Sequence, residues 1–169
     1  SETIGGSGSS LTWIDKAQLG SSLTITGAGA PALAALTASQ VAYMDSDLEQ
    51  LRTYSWGSSA WSQLGSSLSI ASSGFPALAK LTASTVAYID GDLRELRTYS
   101  WSGSVWSQIG SSFPITSTGY PALAALTAST VAFIDSTLES LRTYSWSGSV
   151  WSELGYRLPL DSAGIPALG

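Results

Sequence analysis

Hydrophobic and polar residues alternate with period two over short stretches of this chain, and the stretches recur. Leu96-Arg97-Thr98-Tyr99-Ser100-Trp101 puts Arg97, Tyr99 and Trp101 on one face and Leu96, Thr98 and Ser100 on the other, the pattern of a half-buried strand. Upstream lie a proline-entered apolar run, Ala77-Leu78-Ala79-Lys80-Leu81-Thr82, and a β-branched and aromatic run, Thr85-Val86-Ala87-Tyr88-Ile89-Asp90. Asp90-Gly91-Asp92 supplies turn chemistry between the second and third runs. Downstream, Ser102-Gly103-Ser104 reads as a hairpin turn, and Val105-Trp106-Ser107-Gln108-Ile109-Gly110 returns. Residues 111–120, with Pro114 and Gly119, lead to the next proline. Four short strands, a to d, therefore account for the unit from Pro76 to Tyr120. The run from Asp47 to Arg52 is also compatible with a helix capped by Asp47. The segments between Gly, Pro and Ser clusters are short for helices, which favours strands.

The unit is copied. Pro-Ala-Leu begins at residues 31, 76, 121 and 166, a constant step of 45, and Leu-Arg-Thr-Tyr-Ser-Trp ends at Trp56, Trp101 and Trp146 with the same step. A fixed period of this length signals one supersecondary unit whose apolar faces are buried only by its neighbours. Strand a is built from Ala and Leu, whereas strands c and d carry Trp. Small residues first and large ones last suit a wedge that converges on an axis, so the expected fold is all-β, a β-propeller of four-stranded blades. Blades are expected at 31–75, 76–120 and 121–165, with a degenerate partial blade at 1–30 and the start of a closing strand at 166–169. That makes about four blade equivalents in one repeat domain. A β-trefoil is the alternative.

Composition narrows the chemistry. The chain has 169 residues, 44% hydrophobic and 11% charged, with seven Trp and seven Tyr, which is a packed protein and not a disordered one. A net charge of −5 speaks against nucleic acid and anionic membranes as partners. Without Cys there are no disulfides or thiolate ligands, and without His there is no Ser-His-Asp machinery and no His-ligated metal. No apolar run approaches the length of a membrane-spanning helix. Ser1-Glu2-Thr3-Ile4 lacks the basic and apolar regions of a signal peptide. No enzyme, cofactor or metal site is expected, and the compartment is left open.

The segment PALAALTASTVAFIDSTLESLRTYSWSGSVWSELG resembles the blades of bacterial repeat propellers, and the likeness covers nearly the whole chain after about residue 11. It is also distantly similar to the six-bladed fucose-binding lectins of fungi and bacteria. In those lectins an Arg, a Glu and a Trp hold fucose. The corresponding positions here are Ala42, Ala87 or Ala132 for the Arg and Thr53, Thr98 or Thr143 for the Glu, while Trp56, Trp101 and Trp146 are kept. The resemblance implies the fold, and fucose binding does not carry over with it.

The candidate ligand-binding residues are Arg52, Tyr54, Trp56, Arg97, Tyr99, Trp101, Arg142, Tyr144 and Trp146, one face of strand c in each unit. Trp offers a flat apolar platform for a sugar ring, and Arg with Tyr offers donors to hydroxyls. Each also has a packing role, with Trp filling the space between blades and Arg stacking or pairing with an acid. Asp45/Asp47 and Asp90/Asp92 suit turns better than a calcium loop, and nothing supports them as a glycosidase pair. The expected function is a non-enzymatic, lectin-like module that recognises glycans in repeated interblade pockets. The alternative is a structural or self-assembling scaffold. Open blade ends are aggregation hazards, so the chain is also expected to partner itself: a homodimer closing a ring of about eight blades, or alternatively a monomeric ring.

Overall fold

The computed structural model describes residues 21–25, 29–70, 74–90, 94–115, 120–135 and 140–160. These form three antiparallel sheets stacked face to face. Sheet I contains β1 (Pro31–Ala35), β2 (Gln40–Asp45), β3 (Gln50–Gly57) and β4 (Ala60–Ser69) in that order. Sheet II contains β5 (Pro76–Thr82), β6 (Thr85–Asp90), β7 (Glu95–Trp101) and β8 (Trp106–Gln108), with β9 (Phe113–Pro114) also pairing β7. Sheet III contains β10 (Pro121–Thr127), β11 (Thr130–Asp135), β12 (Ser140–Trp146) and β13 (Trp151–Pro159).

The first strands of neighbouring sheets pack against each other, β1 on β5 and β5 on β10. Their alanines permit that approach, so the sheets converge on this side. At the far edge the third and fourth strands are closed by tryptophan pairs. Trp56 lies opposite Trp61, Trp101 opposite Trp106 and Trp146 opposite Trp151, with ring centroids 5.4, 5.3 and 5.2 Å apart. The amide of each strand-c tryptophan also donates to a serine carbonyl in the turn between the first two strands, Ser39, Ser84 or Ser129, at 2.7 Å.

Each sheet has two unlike faces. On sheet I the register aligns Leu33, Tyr43 and Arg52 in one row and Val41 with Tyr54 in the next, with Trp56 and Trp61 beyond. This is the Arg face. The reverse, the Ala face, carries Ala32, Ala34, Ala42, Met44, Leu51 and Thr53. The Ala face of one sheet packs on the Arg face of the next. Leu36, Met44, Leu51 and Ile70 of sheet I meet Leu78, Val86, Tyr88, Tyr99, Trp101 and Trp106 of sheet II. Leu81, Ile89, Leu96 and Ile115 of sheet II meet Leu123, Val131, Phe133, Tyr144, Trp146 and Trp151 of sheet III in the same way.

Two polar contacts copy themselves across these junctions. The indole N–H of Trp106 donates to Thr53 Oγ1 and that of Trp151 to Thr98 Oγ1, both at 2.8 Å. The Ser66 amide donates to the Ser104 carbonyl at 2.8 Å, and the Ser111 amide to the Ser149 carbonyl at 2.9 Å. Gly65 and Gly110 precede these serines at φ +58° and +63°. A Cβ at either would collide with the carbonyl of the next sheet's turn. Glycine is required there on both counts, conformation and space.

One alternative falls away and one local expectation changes. Residues 46–49 form a turn and not the start of a helix, because the Asp45 carboxylate accepts the amides of Asp47 and Leu48 at 2.8 and 3.1 Å. The fourth strand also runs on past its glycine. Leu68 pairs with Leu51 and Leu158 with Leu141, after a bulge opposite Arg52 and Arg142. That bulge, with its left-handed glycine, is why the sequence beyond it reads as a connection. The degenerate unit before residue 21 and the closing strand at 166–169 lie outside the described residues.

Candidate functional site

All nine candidate residues lie on the Arg faces, as the period-two alternation places them. Each arginine is held by the residue two positions before it on its own strand. Arg52 donates from Nε and Nη2 to Gln50 Oε1 at 3.0 and 2.7 Å, and from Nη1 to the Tyr54 hydroxyl at 3.3 Å. Arg97 pairs with Glu95, its Nε and Nη2 at 2.8 and 2.7 Å from Oε2. Arg142 donates from Nε to Ser140 Oγ at 3.3 Å. One position thus carries an amide, an acid and a hydroxyl in turn, and the three arginine sites differ in local charge.

Their environments differ more. Tyr99, Trp101, Tyr144 and Trp146 are buried by the preceding sheet, and so is Arg142. Burial pushes the Tyr99 and Tyr144 phenols above their ordinary range, against the opposing pull of Arg97 and Arg142. Burial alone would make the Arg97 guanidinium less basic, but its hydrogen bonds to Tyr99 and Glu95 raise it overall. In this closed junction the Arg97 and Glu95 side chains still keep 22% and 32% of their surface in solvent. The arginine end of the groove is open where its tryptophan end is shut.

Among the described residues, the Arg face of sheet I is met only by segment 21–25. Leu33 is 62% exposed, whereas Leu78 and Leu123, its equivalents, are 7% and 6% exposed. A cavity of about 370 Å³ results, walled by Leu33, Val41, Tyr43, Tyr54 and Trp61 and by Ser21, Ser22, Leu23 and Ile25 from the N-terminal side. The Tyr43 hydroxyl donates to Asp45 Oδ2 at 2.9 Å. Burial, followed by that carboxylate, pushes its pKa up to about 12. Neither guanidinium nor phenol changes charge near neutral pH, so the site offers fixed donors over apolar walls and suits binding better than proton transfer. Among the described residues no three acidic side chains gather as a metal site.

Leu33, Val41, Tyr43 and Trp61 were not singled out from sequence. The register that aligns strand c with strands a and b would have found the first three, since Leu33 and Tyr43 share a row with Arg52 and Val41 pairs with Tyr54.

No protein-family model matches the chain, and no curated protein does. Among solved structures it is similar to the Aleuria aurantia fucose-specific lectin, described as a six-bladed β-propeller. The match has 19% identity and a TM-score of 0.50 over 80% of this chain and 48% of that one. Two further similar structures are an N224Q mutant of that lectin with α-methyl-L-fucoside (24% identity, 87% and 48% of the two chains, TM-score 0.49) and the SapL1 lectin with α-methyl fucoside (16%, 79% and 48%, 0.48). The chain spans about half the length of the solved structures it matches. The likeness is one of fold: an all-β stack of antiparallel, four-stranded sheets in the manner of propeller blades.

Proposed function

We propose that the protein is a non-enzymatic, lectin-like module that recognises glycans in the grooves between its blades. The observation that carries this reading is the arginine end of the grooves at Arg52 and Arg97, which stays partly open where Arg142 is buried. There Arg52 or Arg97 presents guanidinium donors, fixed by Gln50 or Glu95, beside a tyrosine ring and at the edge of an apolar wall. A sugar presents hydroxyls on its rim and a C–H face, and such a groove offers a partner to each. The similar folds are those of lectins, which supports the binding class over catalysis. Trp101 and Trp146 act in this reading as the groove's packed floor, because they are buried. Trp56, half-buried on sheet I, is the tryptophan best placed to touch ligand. Weak single grooves gain by avidity when several engage one glycan surface.

The second reading is a self-associating scaffold in which the Arg faces only pack. The Trp106–Thr53 and Trp151–Thr98 hydrogen bonds favour it, since they commit conserved-in-repeat polar groups to packing. A glycan array followed by calorimetry separates the two. Binding that falls at least about tenfold in Arg97→Ala with the fold intact, the loss of about one charged hydrogen bond, supports the lectin reading. An array without a hit at high protein concentration supports the scaffold.

A further inference from the structure

The three Arg faces differ in charge as well as in cover. Two positions beside each arginine vary: the residue two before it on strand c, and the strand-d residue opposite the tyrosine. Sheet II carries an acid at the first, Glu95, and Gln108 at the second. Sheet III carries Ser140 at the first and an acid, Glu153, at the second. Sheet I carries glutamine at both, Gln50 and Gln63. Among the described residues no acid forms an ion pair with Arg52. Asp45 ends strand b on this face, and its oxygens are taken by the Tyr43 hydroxyl and by the Asp47 and Leu48 amides. Asp47 and Glu49 stand exposed in the turn beyond it.

The Arg52 guanidinium is therefore fixed without being neutralised. Gln50 Oε1 accepts from Nε and Nη2, and the Tyr54 hydroxyl accepts from Nη1, which uses three of the five N–H groups. One N–H on each terminal nitrogen is left for a ligand. At Arg97 the same edge, Nε and Nη2, meets a carboxylate, so the charge is already balanced. Arg142 is buried and offers no groove.

We propose, resting on the glycan reading above, that the Arg52 groove takes sugars that bear a carboxylate, and that the residue two before each arginine sets the charge its groove accepts. A carboxylate accepts from two N–H groups of one guanidinium and brings the opposite charge, a stronger pairing than a neutral hydroxyl makes. Tyr54, which bonds Arg52, also walls the cavity of about 370 Å³ with Leu33, Val41 and Tyr43. A pyranose ring lying on those walls sets its carboxylate towards Arg52, where the apolar surroundings strengthen the attraction. In the Arg97 groove the same carboxylate meets Glu95 and is repelled. That groove is left to neutral sugars, whose hydroxyls donate to Glu95 and accept from Arg97.

An array of uronic and sialic acid glycans, each beside its methyl ester, tests this on the full chain. The esters keep the ring and lose the charge. The unmodified chain should hold the acids at least about tenfold more tightly than the esters, the loss expected for one charged hydrogen bond. Gln50→Glu gives sheet I the pairing that sheet II already has, so the fold accommodates it, and it should erase that preference. Glu95→Gln gives sheet II the glutamine of sheet I and should add a second site for the acids. Acids held equally well by Gln50→Glu overturn the assignment, because the carboxylate then lies elsewhere. Hits confined to esters and neutral glycans also overturn it and leave the lectin-like reading standing. An array without any hit removes that reading, and the carboxylate site with it.

Discussion

Sheets I and II carry almost the same sequence on their Arg faces and differ in what lies against it. Leu78, Tyr99 and Trp106 are sealed under the Ala face of sheet I, whereas Leu33 and Trp61 border a cavity. The chemistry is repeated and the environment is not. A residue copied at a fixed step is therefore a core residue in one unit and a surface residue in another, and its role is assigned by its neighbour. In the closed junctions the repeat conserves an interface, complete with the Trp–Thr hydrogen bond and the glycine under the turn. At the arginine end Gln50, Glu95 and Ser140 replace one another, so the three arginines keep different partners.

The largest effect expected from this contrast is at tryptophan. Trp106→Ala removes a buried ring and leaves Thr53 without its donor, and should cost about 3–5 kcal/mol of unfolding free energy in denaturant titration. Trp61→Ala, on the open face, should cost about 1 kcal/mol at protein concentrations low enough to keep copies apart. Equal costs would show that sheet I is covered in the isolated chain and would break the comparison.

Glycine sharpens it from the other side. Gly110→Ala adds a Cβ at φ +63° that would collide with the Ser149 carbonyl oxygen, a backbone atom with little freedom to move. The strained conformation and the collision together should cost about 3 kcal/mol. Gly155→Ala has the same strain at φ +65° with nothing within 4 Å among the described residues, and should cost only about 1 kcal/mol in the isolated chain. Thermal melts of both variants at low concentration measure the difference. If Gly155→Ala is as damaging as Gly110→Ala, the Ala face of sheet III is already occupied.

Much of the fold was legible because strands of period two and a step of 45 residues are both local signals. The alternation of Arg97, Tyr99 and Trp101 named one face of strand c correctly, and the hairpin at Ser102-Gly103-Ser104 followed from turn chemistry. The second half of strand d was not legible. Pairing of Leu68 with Leu51 resumes only after a bulge, and a bulge erases the alternation on which the reading rests. The candidate site was legible as a face but not as a pocket. No local pattern tells that Leu33 is bare and Leu78 covered, because that depends on which sheet lies opposite, a relation between units and not within one.

The smallest expected effect concerns pH and separates the sheets once more. Tyr43, its hydroxyl bonded to Asp45, has its pKa pushed up to about 12, from an ordinary value of 10.0 that the unfolded chain regains. The unfolded state therefore loses the proton first as pH rises, so it binds fewer protons than the native state between these values. This contribution to stability is fully present below about pH 10 and is lost as pH climbs through about 12. Tyr43→Phe removes that hydroxyl, and the equivalent Phe133 in sheet III has none. Unfolding followed across this alkaline window should show a shallower fall in the variant, with a small loss at neutral pH for the missing hydrogen bond of about 1 kcal/mol. An unchanged alkaline slope would mean that Tyr43 titrates as in the unfolded chain, and that water reaches its hydroxyl through the cavity on sheet I.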